Sequence, residues 1–263
     1  MTSADVHVEE AGTAGPLILC LHGIGSSSAA FAAQLAGLSG VARVVAWDAP
    51  GYGRSADPAQ PLDLDAYADA AAAVIRERDR SAHVIGVSWG GVIAMRLALR
   101  HPDLVDSLVV ADSSFGSGSD PDRAAAMRSR AARLAEDGPR AFAEQRAPRL
   151  LSPDAPADLV QTAVDTMAAA IRLPGYGWST ESMAATDLGP ELPGIDVPVL
   201  VLCGEHDTVT GVDAAQAIAG ALRRGVFVIL AGAGHLANQE QPDAFNDWVR
   251  AHLRITALIP ETA

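Results

Sequence analysis

The sequence predicts an α/β protein with a mostly parallel sheet, and three observations carry that expectation. Short apolar runs alternate with helical patterns along most of the chain. The runs are continuously apolar rather than alternating, as strands covered on both faces require. One long proline-cut helical stretch interrupts the series.

The apolar runs fall at residues 17–21, 41–47, 82–87, 104–111, 197–202 and 226–230, with a further edge strand expected at 6–9. Helical patterns occupy 28–38, 64–78, 91–100, 213–222 and 242–253. In the last, Phe245, Trp248, Val249 and Leu253 share one face, the stripe of a helix packed on a sheet. Such a βαβ series needs crossover connections and so a parallel sheet. From 113 to 186 no strong strand appears. The segment is rich in Ala and Arg and is cut by Pro121, Pro139, Pro148, Pro153, Pro156 and Pro174. It reads as an inserted helical cap, 113–186, on a core made of 1–112 and 187–263.

Charge narrows the partners. The formal net charge is −13, and every one of the 19 Lys+Arg residues is Arg. An acidic chain argues against nucleic acid or an anionic membrane as partner and leaves a small molecule. The opening MTSADVHVEE has neither the basic start nor the apolar run of an export signal, so a cytoplasmic location is expected. No apolar stretch is long enough to cross a bilayer. Nothing in the pattern excludes a homo-oligomer. Cys20 and Cys203 sit in apolar runs far apart, which fits buried small hydrophobes rather than a disulfide or metal knot.

The chemistry gathers at Gly86-Val87-Ser88-Trp89-Gly90, between a strand and a helix. A serine on so tight a turn is held in strained dihedrals that lift its hydroxyl above the sheet. Side chains at the flanking glycines would collide there. A serine hydroxyl attacks only when a base takes its proton. His235 is the candidate base, in a glycine-rich loop after the strand 226–230. The acid that would hold its tautomer is Asp207, after the strand 197–202, with Glu205 and Asp112 as rivals. A developing oxyanion needs fixed donors; the backbone N–H groups of Ile24 and Trp89 are placed to supply them. His22 reads as a loop-shaping residue and His206 as a neighbour of the acid. No His/Cys/Asp spacing suggests a metal, and no cofactor is called for.

Five segments in order resemble the α/β-hydrolase superfamily: His22-Gly23, the run from Asp48 to Ser55 (DAPGYGRS), the serine elbow, the stretch from Gly204 to Asp207, and Gly234-His235. Within it, Leu173-Pro174-Gly175-Tyr176 and the run from His235 to Pro242 (HLANQEQP) are similar to 3-oxoadipate enol-lactonases. That resemblance implies an α/β-hydrolase fold, a small ester or lactone substrate and an acyl-enzyme on Ser88. It departs at His22-Gly23, a pair those lactonases usually lack. Three alternatives stay open. One is a C–C hydrolase of aromatic ring-fission products, and a second is a non-hydrolytic ligand-binding member of the fold. The third is a dinucleotide site formed by Gly23-Ile24-Gly25 with Asp48 some twenty residues on. In the cap, Phe115, Met127, Phe142, Met167, Tyr176, Trp178 and Met183 are candidates to line a pocket floored by Trp89. Arg146, Arg149 and Arg172 are candidates to pair with a substrate carboxylate.

Overall fold

The computed structural model describes residues 5–257; residues 1–4 of the opening segment and 258–263 lie outside it. Seven strands form one sheet: β1 (Val8–Ala11), β2 (Leu17–Leu21), β3 (Arg43–Trp47), β4 (Ala82–Val87), β5 (Val105–Ala111), β6 (Val199–Gly204) and β7 (Gly225–Leu230). Their order is β1-β3-β2-β4-β5-β6-β7. Only β1 runs antiparallel to its neighbour β3; the other pairs are parallel. The edge strand expected at 6–9 begins two residues later. His7 is spent on the following loop instead, its carbonyl accepting from Asp48 N–H at 2.8 Å and its N–H donating to Ser55 Oγ at 2.8 Å.

The two faces of the sheet divide the apolar runs residue by residue. Leu17, Leu19 and Leu21 pack beneath α2 (Leu64–Arg78) and α3 (Trp89–Arg100), in the same cluster as α7 (Gly211–Ala221). Ile18 and Cys20 face α1 (Ala32–Leu38) and α9 (Pro242–Thr256), where Phe31, Leu38, Phe245 and Val249 are buried. That two-sided burial is why these runs have no polar alternation. The helix expected at 28–38 is divided. A short 3-10 turn, Ser28–Phe31, precedes α1, because Ser28 N–H donates to the buried Asp48 carboxylate at 2.8 Å.

Between β5 and β6 the chain forms a helical insert of α4 (Pro121–Arg146), α5 (Ala157–Ala170) and α6 (Gly175–Ala184). The start of α4 is set by Asp120, whose carboxylate accepts from Asp122 and Arg123 N–H, with Pro121 in the first turn. Its continuity breaks at Gly138, which adopts φ 74° just before Pro139. A short helix α8 (Ala237–Glu240) leads into α9.

This order fixes where a site can form. β2 leads outward to β3 on one side and β4 to β5 on the other, so the sheet switches direction between β2 and β4. In open α/β sheets the crevice at the carboxyl ends of such strands is the place for ligands. Ser88 follows β4, Asp112 follows β5, Asp207 follows β6 and His235 follows β7, all at that end.

Candidate active site

Ser88 sits at φ 56°, ψ −122°, a left-handed conformation that a non-glycine residue adopts only under constraint. The constraint is visible in its neighbours. A Cβ on Gly86 would lie 2.3 Å from the Gly90 carbonyl oxygen, and one on Gly90 only 2.0 Å from that of Leu21. Ser88 N–H donates to Ala111 O at 2.8 Å, and the Ser113 hydroxyl donates to Ser88 O at 2.7 Å. The helix therefore starts at once, at Trp89 rather than at the expected position 91.

The hydroxyl is aimed at His235: Ser88 Oγ lies 3.0 Å from His235 Nε2, and His235 Nδ1 lies 3.0 Å from Asp207 Oδ2. A carboxylate only accepts, so Nδ1 carries the proton and Nε2 is free to accept from the serine. Asp207 is itself well furnished. Its Oδ1 accepts from Val209 N–H (2.8 Å) and Thr210 N–H (3.2 Å), and its Oδ2 accepts from the Thr210 hydroxyl (2.6 Å). Burial alone would push this carboxyl up. The hydrogen bond and electrostatic attraction of the His235 ring, with the Thr210 and Val209 donors, outweigh burial and hold it well below the usual carboxylate range.

The rivals are placed elsewhere. Glu205 is exposed and accepts from Gly232 N–H at 3.0 Å. Asp112 is fully buried, with Oδ1 accepting from Gly204 N–H (2.8 Å) and Oδ2 from Ala237 N–H (3.2 Å). It ties the end of β6 to the loop that bears His235. Burial first, and then the nearby Asp207 charge, push its carboxyl well above the usual range. The ligand-type atoms of Asp112, Cys203 and Asp207 lie within 4.8 Å of one another. Both carboxylates there already accept protein hydrogen bonds, so the grouping is explained without an ion.

Ile24 and Trp89 border the cavity in front of Ser88. As the first residue of α3, Trp89 has a backbone N–H with no partner inside the helix. The Ile24 loop presses close, since a Cβ on Gly23 would lie 3.0 Å from Ser88 Cβ. His22 shapes that loop: its Nδ1–H donates to Gly23 O at 2.9 Å and its Nε2 accepts from Ala49 N–H at 2.9 Å. Asp48 accepts from Ser28 and Arg54 N–H. It is 2% exposed and fully engaged, which removes the dinucleotide alternative: no carboxylate is left to face a ribose.

The cavity holds about 230 Å³. Of the insert residues expected to line it, Met127, Met167 and Met183 do, and Trp89 floors it with its indole N–H donating to Ser182 Oγ at 3.1 Å. Phe115, Phe142, Tyr176 and Trp178 do not border it; Tyr176 is buried in the insert's own packing against Phe142. Arg172 also falls outside. Its guanidinium pairs with Asp57 (2.8 Å) and donates to the carbonyls of Gly53 (2.9 Å) and Ser55 (2.6 Å), fastening insert to core. Arg146 borders the cavity, as does Arg130, which the sequence reading missed.

Three further residues escaped that reading. Thr210 supports the acid, and its signal was its position three residues after Asp207 at a helix entrance. Glu240 receives Gly234 N–H (2.7 Å) and Ser152 N–H (2.8 Å), pinning the His235 loop to the insert. Asn238 donates to Ala30 O (2.8 Å), anchoring the same loop to the turn before α1. Replacing Thr210 with Val keeps the shape and deletes one bond to a charged acceptor. We expect kcat/KM on a neutral ester to fall about tenfold with little change in melting temperature; an unchanged kcat/KM would dismiss Thr210 from the site.

The chain belongs to the alpha/beta hydrolase family, whose family model matches residues 18–248. It is a hydrolase of that fold. Among its relatives, 3-oxoadipate enol-lactonase 2 of Acinetobacter baylyi is 28% identical over 244 residues, 91% of this chain and 89% of that protein. A thermophilic esterase from Thermogutta terrifontis, solved with malate bound, matches with a TM-score of 0.87 at 26% identity, over 95% of this chain and 93% of that one. The enol-lactonase from Burkholderia xenovorans LB400 gives a TM-score of 0.80 at 27% identity, over 95% and 96%. Among the described residues no helix is long and apolar enough to cross a membrane.

Proposed function

We propose that this hydrolase opens a small carboxylic ester or lactone, in the manner of a 3-oxoadipate enol-lactonase, through an acyl-enzyme on Ser88. The observation that carries the reading is the relay from Ser88 Oγ to His235 to Asp207, 3.0 Å at each link, opening into a cavity.

Each step follows from the placement of the groups. His235 Nε2 takes the Ser88 proton as the oxygen attacks the carbonyl carbon. The Ile24 and Trp89 N–H groups stabilise the charge that develops on the carbonyl oxygen. Asp207, held ionised, stabilises the imidazolium and keeps its orientation. The imidazolium then protonates the leaving oxygen, which in a lactone stays tethered to the acyl chain. Water activated by the same imidazole attacks the acyl-enzyme and returns Ser88 to its free form. No bound group beyond water and substrate is needed for these proton transfers.

The experiment is a kcat/KM comparison across five- and six-membered lactones, short aryl esters and ring-fission diketones. The reading expects lactones and esters to be the best substrates. Faster cleavage of a carbon–carbon bond than of any ester would overturn it.

A further inference from the structure

A second cavity of about 250 Å³ lies within the insert, bordered by Arg130, Arg133, Arg146 and Arg149. Arg130 and Arg146 border the catalytic cavity as well, so the two spaces meet at these arginines and Ala126. Neither lining includes an Asp or a Glu.

This gathering runs against the composition, in which 32 acids face 19 arginines. Elsewhere in the insert, Arg123, Arg128, Arg140 and Arg172 each pair with a carboxylate. The four around the second cavity do not, among the described residues. Arg133 donates only to the neutral Gln145 amide oxygen at 3.2 Å, and Arg146 Nε is buried without a partner. The neighbouring charge acting on Arg130 is the like charge of Arg146. Burial first, and then Arg146, push Arg130 down to about 10, which leaves it cationic at neutral pH. Holding such groups together without a counter-charge is unfavourable, and planar forks match oxyanions with several acceptor oxygens.

We propose that the second cavity is a subsite for a doubly charged oxyanion, a phosphate or phosphonate or a pair of carboxylates, carried by the substrate at the end remote from the scissile carbonyl. Continuity through the shared Arg130–Arg146 wall is what assigns the anion to the substrate rather than to a separate effector. A single carboxylate would occupy one fork and leave three unmatched. The proposal rests on the hydrolase reading for the position of the scissile bond, not for the binding of the anion.

The test uses p-nitrophenyl esters of matched length ending in phosphonate, malonate, single carboxylate or methyl. The two dianionic esters are expected to exceed the methyl-ended ester in kcat/KM by about tenfold or more. Their relative rates identify the preferred dianion. That ratio should collapse toward one in Arg130→Gln/Arg146→Gln, and fall in the exposed pair Arg133→Gln/Arg149→Gln, which keeps the test alive if the inner pair misfolds. Arg80→Gln/Arg224→Gln, just ahead of β4 and β7 at the opposite end of the sheet, removes the same two charges and should leave the ratio intact. Equal kcat/KM for charged and neutral esters, or a single carboxylate as good as both dianions, overturns the subsite. If no ester is cleaved, the hydrolase reading fails. Calorimetric titration of the Ser88→Ala variant with 4-phosphonobutyrate then decides the subsite on its own: binding lost in the arginine variants supports it, and no binding overturns it.

Discussion

Ser88→Ala is expected to reduce ester turnover by about a millionfold, to a residue left by the oxyanion donors and binding alone. The size of the effect follows from the role. The hydroxyl forms the covalent bond, and no neighbour replaces it: the nearby Ser113 hydroxyl is committed to Ser88 O. The fold should tolerate the change, because the strain at position 88 is imposed by the Gly86 and Gly90 contacts and the Ala111 hydrogen bond, not by the side chain. A methyl there still fits the turn. Far-ultraviolet dichroism and melting should match the parent while p-nitrophenyl acetate turnover disappears. Turnover within tenfold of the parent would take Ser88 out of the mechanism.

Asp207→Asn is expected to cost about 10⁴-fold in kcat, since the amide can present its N–H to His235 and force the wrong tautomer. Asp112→Asn separates position from chemistry. Asp112 accepts hydrogen bonds only from backbone N–H groups, so its replacement should alter stability rather than chemistry: the Ala237 bond that an amide nitrogen cannot accept is set against relief of the buried charge beside Asp207. Its kcat should stay within about tenfold of the parent, because the His235 partner survives. The two variants also differ in their pH dependence. Asp207 has a folded carboxyl below its unfolded value, so its contribution to stability is complete above the ordinary carboxylate range and is lost as pH falls through the depressed folded value. Asp207→Asn should therefore lose stability at neutral pH and approach the parent in strong acid. Paired urea titrations at neutral and acid pH check this. A constant difference across pH would deny the Asp207 shift, and a greater kcat loss in Asp112→Asn would exchange the two acids.

How much of this could be read from sequence depended on the kind of contact. Strands buried on both faces leave an unbroken apolar signature, which is why β2 and β4 were legible to the residue. The serine elbow was legible because glycine is required on both sides of it. Sheet order was not, since parallel neighbours are set by crossovers whose direction no local pattern records. Asp112 reads as a candidate triad acid and Asp48 as a candidate ribose partner because a buried carboxylate and a functional one share a letter. Only their backbone partners, Gly204 with Ala237 and Ser28 with Arg54, tell them apart. Arg172 was misjudged for the same reason, its fork being spent on Asp57 and two carbonyls. Arg130 went unnoticed in a helix that repeats Arg along its length, where nothing local marks which side chains turn inward.

The central claim is that an acyl group passes through Ser88. Its most direct measurement is intact mass analysis after brief reaction with a slow-release p-nitrophenyl ester, followed by peptide mapping. The account predicts one acyl mass per chain, located on the peptide holding Ser88 and removed on further incubation. An unmodified chain during steady turnover, or an acyl mass on another side chain, would contradict it.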